Sequence, residues 1–498
     1  MPLVDYDVIV IGAGIGGLTT ASLLAKRGFK VIVLEQNDHP GGYCGTLSQD
    51  GYIFDMGASL FWGFDEGGCF YSLFSELGIM DRMLKGDRIR RLDPGFQTVL
   101  PNHRIDLFSD RNRFFEEIKR EFPKDLMNLK DFYNEIDHIE EKLYEIGGTK
   151  HPFVYNGKNG VKINQTKKIL LNIYILLNKN RYLEGYMRGW DERLELEKFI
   201  DLQTMYFGQR GAGDSTLPFL AIISGIPRRG IYYIKGGAHF IADELESSIR
   251  ESKGELIYHA RVEEILTRKK GDVCGVKVRH RDMPLEIFSR TVISDIPIFN
   301  LLKRDISRIR YKRMMKYLQQ GWVPFSILLG VDEKVIPEPM REHVLMMRDY
   351  NLPSYGDNLI FISVNPVWDK TRAPEGKRCI TASIFLPSDI IQCNNKGVLR
   401  EKGEEIILYL EDVIPFLSDY IECVIYLDPL TYQRVTMRED GKMGMIKGGI
   451  DMYGFSGLSN ISPSRDLFLV GDTTYPGHST AATVKSGIRT ADLITKRI

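Results

Sequence analysis

Cysteine is scarce in this sequence, and the few cysteines present are not arranged in reactive pairs. The chain has 6 cysteines in 498 residues, and no two of them form a C-x-x-C pair. This spacing argues against zinc ribbons, thioredoxin-type redox centres and disulfide reductases, and we expect no metal site. Isolated cysteines are typical of proteins from a reducing compartment. We therefore expect a cytoplasmic protein.

An excess of charge of either sign is also lacking. Lysine and arginine together number 66, and aspartate and glutamate together also number 66. Domains that bind nucleic acid usually carry a clear basic excess. The composition therefore gives no support for a nucleic-acid partner, and any charged binding surface must be local.

No apolar run in the sequence is long enough to span a membrane. The longest run covers residues 169–177 and is interrupted by Asn172, so it falls well short of the ~20 residues that a spanning helix needs. The first five residues also lack the basic start and apolar continuation of a signal peptide. We expect neither a transmembrane helix nor a signal peptide.

A glycine-rich turn lies near the start of the chain. Residues 7–11 form an apolar, β-branched run, as in a buried parallel strand, and lead through G-A-G-I-G-G into an Ala/Leu-rich helix. In such a unit the first glycine permits the tight turn, the second lets the backbone approach a pyrophosphate, and the third allows helix and strand to pack closely. The helix N-terminus then faces the phosphate charge. The residues of this turn that we expect at the cofactor are Gly12, Gly14, Ile15, Gly16 and Gly17.

An acidic residue follows at the position where a ribose would bind. A second short strand, residues 30–34, ends at Glu35, which lies roughly twenty residues beyond the glycines. The Glu35 carboxylate would accept hydrogen bonds from an adenosine ribose, with Gln36 beside it. A carboxylate here disfavours a 2′-phosphate, so we do not expect NADP. A glycine turn alone is weak evidence, but the strand, helix, second strand and terminal acid together predict a dinucleotide site.

Two further turns extend the predicted site. Gly41 and Gly42, followed by Tyr43, would bring backbone to the phosphates from the other side. Residues 52–59 alternate loosely between apolar and polar and end in small residues, which suits backbone lying against a flat ring. Either turn alone is equally typical of an ordinary surface turn. The small residues that we assign to the site are Gly57, Ala58 and Ser59.

The C-terminal end of the chain favours a flavin over a nicotinamide. Residues 466–472 are predicted to form a strand that ends in Gly471 and Asp472, and a helix follows at residues 481–495. Asp472 would bind ribityl hydroxyls, and the helix N-terminus would stabilise negative charge on the reduced flavin ring. A nicotinamide site has no comparable need. We therefore expect FAD as the cofactor, with Ala482 and Thr483 at the start of this helix beside it.

Three blocks of the chain resemble the phytoene desaturase, carotenoid isomerase and retinol saturase family of FAD enzymes. The blocks are residues 7–45, 234–278 and 467–491. The resemblance implies that the backbone of Val262 holds the adenine, and that the FAD domain is assembled from both termini and the middle of the chain. The sequence also departs from the family, because Tyr43 stands where many relatives have an arginine and the C-terminal turn reads His-Ser-Thr-Ala.

From these patterns and this resemblance we predict an α/β fold with two domains. One is a Rossmann-like FAD-binding domain with a parallel sheet of the glutathione-reductase type, expected at residues 1–85, 226–298 and 446–498. The other is a discontinuous α+β substrate domain with a helical cap, expected at residues 86–225 and 299–445. The length of 498 residues also exceeds the size at which a single core usually stops growing.

The predicted substrate domain has no motif that identifies a catalytic group. Its clearest pattern is a set of apolar residues at helical spacing, which suits either a core or a pocket wall: Leu129, Phe132, Tyr133, Ile136, Ile139 and Leu143. Residues 162–186 place basic side chains around an apolar run, which suits either a buried helix or an amphipathic helix on an anionic bilayer. The resemblance favours peripheral membrane contact, because family members extract apolar polyenes from lipid. On position alone, His478 is the candidate catalytic residue.

The resemblance implies an FAD-dependent oxidoreductase acting on a conjugated isoprenoid or another apolar polyene. The reaction would be desaturation, saturation or cis–trans isomerisation at flavin N5. Two alternatives stay open: a flavin amine oxidase, and a non-catalytic prenyl-binding protein of the GDP-dissociation-inhibitor type. A prenyl-binding protein of the second kind binds no FAD, so it would have no need for both the glycine turn and the Gly471–Asp472 pair. The sequence does not indicate an oligomeric state.

Overall fold

The computed structural model describes residues 5–57, 59–85, 87–147, 170, 173–174, 177–178, 181–208, 211, 215–268, 272–303, 322–387, 396–438, 441–443, 458–462, 464–477 and 479–497. Its helices, numbered along the described chain, are α1 (Ile15–Lys26), α2 (Cys69–Leu77), α3 (Met80–Lys85), α4 (Arg111–Glu121), α5 (Leu126–Gly147), α6 (Leu183–Tyr186), α7 (Arg193–Gly208), α8 (Leu217–Arg229), α9 (His239–Glu251), α10 (Ile298–Lys303), α11 (Lys396–Leu410), α12 (Pro429–Thr436) and α13 (Thr480–Thr495). Its strands are β1 (Tyr6–Ile11), β2 (Val31–Leu34), β3 (Thr46–Gln49), β4 (Tyr52–Asp55), β5 (Phe61–Trp62), β6 (Ile89–Leu92), β7 (Phe96–Leu100), β8 (His103–Leu107), β9 (Ile231–Ile234), β10 (Glu255–Ile257), β11 (Ala260–Thr267), β12 (Val273–His280), β13 (Met283–Ser294), β14 (Trp322–Asp332), β15 (His343–Met347), β16 (Leu359–Val364), β17 (Lys377–Pro387), β18 (Ile421–Leu427) and β19 (Leu467–Leu469).

The N-terminal strand lies inside a parallel sheet. Its order is β10–β2–β1–β13, and β19 pairs with β13 on the far side, with all of these pairs parallel. In β1, Val8, Ile9 and Val10 have no solvent exposure, as expected of a strand covered on both faces. The C-terminal helix α13 packs on α1, where Thr20 donates a hydrogen bond to the carbonyl of Gly487 at 3.3 Å. The predicted Rossmann-like α/β fold is confirmed.

Strand β13 joins this parallel sheet to an antiparallel hairpin. Its first half pairs with β12, and β12 pairs with β11, both in antiparallel fashion. Its second half pairs with β1 in parallel, so that Ser294 lies opposite Ile11. Strands from the two termini and the middle of the chain therefore share one sheet. The boundaries of the two domains given above stay a prediction.

A second sheet, with strand order β18–β14–β17–β16–β15–β7–β8, forms the other half of the molecule. Side chains of β14 alternate between its two faces, as the pleat requires. Phe325 and Ile327 pack in a hydrophobic core that includes Leu410 of α11. Pro324 and Ser326, on the opposite face, line a large cavity. This sheet therefore separates a core from the cavity described below.

A group of helices packs beside the second sheet, in agreement with the helical cap expected from the sequence. The apolar stripe of α5 is buried throughout: Leu129, Phe132, Tyr133, Ile136, Ile139 and Leu143 are at most 6% exposed. None of these side chains lines the cavity, so the stripe is core rather than pocket wall. On the same helix, the Glu140 carboxylate binds Arg228 and Arg229 of α8.

Within the described ranges, no helix combines the length and the apolar character that crossing a bilayer would require. Most of the predicted amphipathic segment, residues 162–186, lies outside the described residues. Four of its leucine and isoleucine residues are described as helical: Leu183 is fully buried, and the other three are Leu170, Ile173 and Leu177. These three are 49%, 46% and 74% exposed.

Candidate functional site

The glycine turn after β1 has the close packing that its sequence predicts. Gly12 has a positive φ of +96°, a conformation that residues with a Cβ rarely adopt. A Cβ on Gly17 would lie 2.3 Å from the carbonyl oxygen of Gly12 and 3.2 Å from Cγ1 of Val10. Gly14 is the N-cap of α1 and provides no side-chain cap. The start of α1 is therefore held tightly against β1.

The second glycine turn lies directly against the first. The Gly41 N–H donates to the carbonyl of Ala13 at 2.8 Å, and Gly14 and Gly41 form a parallel bridge. A Cβ on Gly42 would lie 3.7 Å from the Cα of Gly14. The two turns therefore present adjacent stretches of backbone to the same space.

Glu35, at the end of β2, braces the first turn. One of its carboxylate oxygens accepts a hydrogen bond from the Ala13 N–H at 2.7 Å, and the other accepts from the Asn37 N–H at 2.9 Å. The residue is 7% exposed. An ionised carboxylate has about four lone-pair sites, so these two bonds leave capacity for a ribose hydroxyl.

The C-terminal strand brings its acidic end to the same place. The second half of β13 pairs with β1 and also with β19. Gly471, two residues after β19, therefore lies beside the start of α1. A Cβ on Gly16 would be 3.1 Å from both the Cα and the nitrogen of Gly471. The N-terminus of α13 follows, capped by Ser479, whose hydroxyl accepts from the Ala482 N–H at 3.1 Å. Residues far apart in sequence therefore meet at one site.

One cavity of about 380 Å³ joins these elements, a volume within the range of ligand pockets. It is lined by most of the residues that the sequence singles out: Gly12, Gly14, Ile15, Glu35, Gln36, Gly41, Gly42, Tyr43, Gly57, Ser59, Val262, Gly471, Asp472 and Thr483. The remaining described candidates, Gly16, Gly17 and Ala482, are buried beside it. Ala58 and His478 lie outside the described residues.

Sequence reasoning missed two ionisable residues of the cavity wall, Asp295 and Arg438. Asp295 follows the last residue of β13, and its carboxyl group lies against the glycine turn, where a Cβ built on Gly14 would be 2.4 Å from Oδ2. Burial raises the pKa of the Asp295 carboxyl well above its usual range. The sequence carries a signal for it, because Asp295 comes just after the β-branched residues Thr291, Val292 and Ile293, much as Asp472 follows an apolar run.

Arg438 follows α12 and lies between two predicted site residues. Its guanidinium binds the Asp472 carboxylate and lies 5.2 Å from the ring centroid of Tyr43. Burial raises the pKa of the Tyr43 hydroxyl to about 12, so this side chain is neutral at physiological pH. Nothing in the local sequence marks Arg438, because only the tertiary fold brings α12 to the cavity.

The second sheet supplies the opposite wall, which mixes apolar and hydroxyl side chains. Its lining residues are Pro324, Ser326, His343, Val344, Leu345, Phe361, Ile362, Ser363, Thr381, Ser383 and Phe385. Several of the hydroxyls are paired with one another. Ser326 lies 2.7 Å from Ser383 and 2.8 Å from the hydroxyl of Tyr432, which donates to the Met56 carbonyl at 2.6 Å.

A second chain of polar contacts connects the two halves of the molecule. Ser59, on the cofactor side, lies 2.7 Å from Ser363, oxygen to oxygen. Ser363 lies 3.0 Å from Nδ1 of His343. The register of the sheet explains this contact, because His343 is directly opposite Ser363 on the neighbouring strand. Such a register cannot be read from the separate strand sequences.

Comparison with known proteins places the chain among oxidoreductases. Residues 10–77 match the family model of an NAD(P)-binding Rossmann-like domain. The chain is 29% identical to prolycopene isomerase 2 of an Oncidium hybrid cultivar, covering 98% of this chain and 83% of the relative. The chain is an oxidoreductase homologous to the prolycopene isomerases. It is also 26% identical to all-trans-retinol 13,14-reductase of Danio rerio, over 94% of this chain and 82% of that protein.

Solved structures show that the fold is shared more widely than the sequence. A putrescine oxidase with bound putrescine superimposes with a TM-score of 0.64, covering 99% of both chains at 15% identity. At this identity the likeness establishes the fold alone. This homologue of the prolycopene isomerases therefore shares its fold with the putrescine oxidase, whereas its sequence relationship is to the isomerases and reductases.

Proposed function

We propose that the protein is an FAD-dependent oxidoreductase that acts on a conjugated isoprenoid. The observation that carries the proposal is the single cavity at which the opening glycine turn, Glu35 and Asp472 meet. The relatives named for prolycopene and for all-trans-retinol support an apolar polyene as the substrate. Desaturation, saturation and cis–trans isomerisation are all compatible with this site.

The cavity wall fits FAD in shape and in donor groups. Gly42 presents open backbone to this space, since among the described residues the only atom near a Cβ built on it is the Cα of Gly14 at 3.7 Å, and the Asp295 carboxyl lies against Gly14. The start of α1 has no side-chain cap from its own N-cap residue, so this end of the helix suits a pyrophosphate. Glu35 and Val262 would hold the adenosine.

The flavin end of the site is assigned to residues 57–59, Asp472 and the start of α13. When bound, FAD supplies hydride transfer at N5. The α13 N-terminus would stabilise negative charge on the ring edge. Asp472, oriented by Arg438, would hold the ribityl chain.

The second sheet would position the substrate and exclude water. A polyene has few polar groups, so its placement depends on shape and burial. Leu345, Phe361 and Phe385 offer apolar surface on this wall, with Trp62 on the cofactor side. These side chains would hold one carbon of the chain within reach of the flavin and keep solvent from it.

Two measurements test the proposal. Purified protein should be yellow, and its cofactor, released by denaturation and chromatographed against FAD and FMN standards, should be FAD. Anaerobic incubation with prolycopene or all-trans-retinol is run with the flavin oxidised in one sample and chemically reduced in another. Product mass should show loss of two hydrogens to the oxidised flavin, gain of two hydrogens from the reduced flavin, or an isomer of equal mass. A colourless protein that does not take up added FAD would contradict the proposal. Turnover of putrescine with peroxide release, and of neither polyene, would instead establish an amine oxidase.

We also propose peripheral membrane contact through residues 162–186. The support is the exposure of Leu170, Ile173 and Leu177, which recur at helical spacing in the described part of this segment. Apolar side chains on one face, flanked by basic residues, suit an anionic bilayer. Sedimentation with phosphatidylserine-containing vesicles should deplete the protein from solution, and an Ile173→Glu, Leu177→Glu variant should stay in solution. Equal binding of both proteins would contradict the proposal.

A further inference from the structure

His343 occupies an unusual position on the substrate wall. It is the first residue of β15, is 3% exposed and lines the cavity. Its Nδ1 is held by Ser363 at 3.0 Å, and Ser363 is held in turn by Ser59 at 2.7 Å. The ring orientation is therefore fixed from one side.

The other ring nitrogen of His343 has no partner. Nε2 is buried and, among the described residues, accepts and donates no hydrogen bond. Among the described residues that line the cavity, it is the one buried side-chain polar atom left in this state. A buried polar group without a hydrogen bond is unfavourable, so a ligand atom that bonded Nε2 would be preferred over an apolar one.

The charge state of His343 limits which ligand atoms fit. Burial lowers the pKa of this imidazole to about 4, so the ring is neutral near pH 7. A neutral imidazole offers one N–H donor and one acceptor. A hydroxyl can satisfy Nε2 in either tautomer, and a carbonyl can do so when Nε2 carries the proton. A carboxylate is disfavoured, because Arg438 is the sole lysine or arginine among the described lining residues and its guanidinium binds Asp472.

We infer that the substrate is an oxygenated isoprenoid, an alcohol or an aldehyde, whose oxygen binds Nε2 of His343. The inference rests on the proposed function and narrows it. Leu345, Phe361 and Phe385 surround the apolar remainder of the ligand, and His343 selects its polar end. Ser363 and Ser59 act as positioning residues that hold the ring. A hydrocarbon carotene would leave Nε2 unbonded and would bind more weakly.

The test compares two ligands that differ in one hydroxyl group. FAD-loaded protein is titrated with all-trans-retinol and with the hydrocarbon that lacks its hydroxyl, and the dissociation constants are read from tryptophan fluorescence. The wild-type protein should bind the alcohol about tenfold or more tightly than the hydrocarbon. His343→Leu should remove this preference by weakening alcohol binding alone, and His343→Gln should retain part of it. His103→Leu changes a histidine that bonds Glu121 and does not line the cavity, and should keep the preference.

Three outcomes would overturn the inference. Equal wild-type affinity for the two ligands would mean that Nε2 does not select an oxygen. An equal loss of both ligands in His343→Leu would mean that the residue has only a packing role. A changed flavin spectrum or FAD content in His343→Leu, with the alcohol preference intact, would mean that Nε2 binds the flavin instead. In each case the proposed function would stand as long as the wild-type protein binds FAD and a polyene. A wild-type protein that binds no FAD and neither ligand would contradict both the proposed function and this inference.

Discussion

A buried ion pair fixes the strand that leads into the cavity, and its removal gives the sharpest stability prediction. Arg372 and Asp55 lie 2.9 Å apart, nitrogen to oxygen, with side chains 5% and 8% exposed. Arg372 also donates to the Ile53 carbonyl at 2.7 Å. The other Asp55 oxygen accepts from the Ala238 N–H, at the N-terminus of α9, at 2.8 Å. Asp55 ends β4 just before Gly57, so the pair anchors one edge of the cofactor wall.

The expected cost follows from the burial of both charges. Arg372→Met leaves the Asp55 carboxylate buried without its cation, a change that costs about 3–5 kcal/mol. Asp55→Asn leaves the guanidinium buried without a carboxylate partner, although it keeps its hydrogen bond to the Ile53 carbonyl, and we expect about 3 kcal/mol. In the double variant no uncompensated charge remains, and the asparagine can still accept from Ala238. We expect the double variant to lose about 2 kcal/mol, far less than the sum of the single losses.

Urea denaturation followed by tryptophan fluorescence measures these free energies of unfolding. Arg400→Met is a matched control, because Arg400 and Glu404 form a helical pair with side chains 72% and 56% exposed, and such pairs contribute about 0.5 kcal/mol or less. The reasoning is refuted if Arg372→Met stays within about 1 kcal/mol of the wild type. It is also refuted if the double variant loses as much as the two single variants together.

Three further predictions concern the nucleotide half. Gly17→Ala should lower both stability and FAD content, because the added Cβ would lie 2.3 Å from the Gly12 carbonyl oxygen. Urea denaturation measures the stability, and the ratio of flavin to protein absorbance measures the FAD content. Gly185→Ala, whose Cβ would meet nothing within 4 Å, should change neither. Glu35→Gln should lower the free energy of unfolding by about 1–2 kcal/mol, because the Ala13 and Asn37 amides lose a charged acceptor. The variant should also bind ADP more weakly in calorimetry, and unchanged ADP affinity would contradict the ribose role. Burial lowers the pKa of Lys485 from 10.5 to about 7. Between these two pH values the unfolded state carries a proton on Lys485 that the folded state does not, so stability should rise with pH from about 7 to 10.5. Urea midpoints measured across this range should show the rise in the wild type and not in Lys485→Met.

The opening unit is local enough to be predicted from the sequence. The β-branched run of β1, the glycine spacing and the acid that ends β2 belong to one stretch of chain. Each of these features follows from neighbouring residues: a buried strand, a turn that needs a positive φ, and a helix start that packs on a strand. The expectation that Gly17 permits close packing agrees with the 2.3 Å approach to Gly12.

The C-terminal strand was predicted by its own pattern, but its place in the sheet depends on β13. Residues 466–472 indicate a strand ending in Gly-Asp, and the described strand is β19, residues Leu467–Leu469. Its pairing with β13 is what brings Asp472 to the glycine turn. The family resemblance supplied that expectation, because no rule of local periodicity assigns a partner to a strand.

The residues that sequence reasoning missed are those that depend on long-range register. Asp295 enters the site because β13 pairs with β1, and Arg438 because α12 packs near Tyr43. His343 becomes a candidate only when β15 and β16 are paired and Ser363 lies opposite it. A side chain's hydrogen bonds and burial are properties of its neighbours in space. The sequence by itself therefore determined the nucleotide-binding unit and the class of cofactor we propose. The tertiary structure alone decided which ionisable residues line the cavity and which ring nitrogen among them is left without a hydrogen bond.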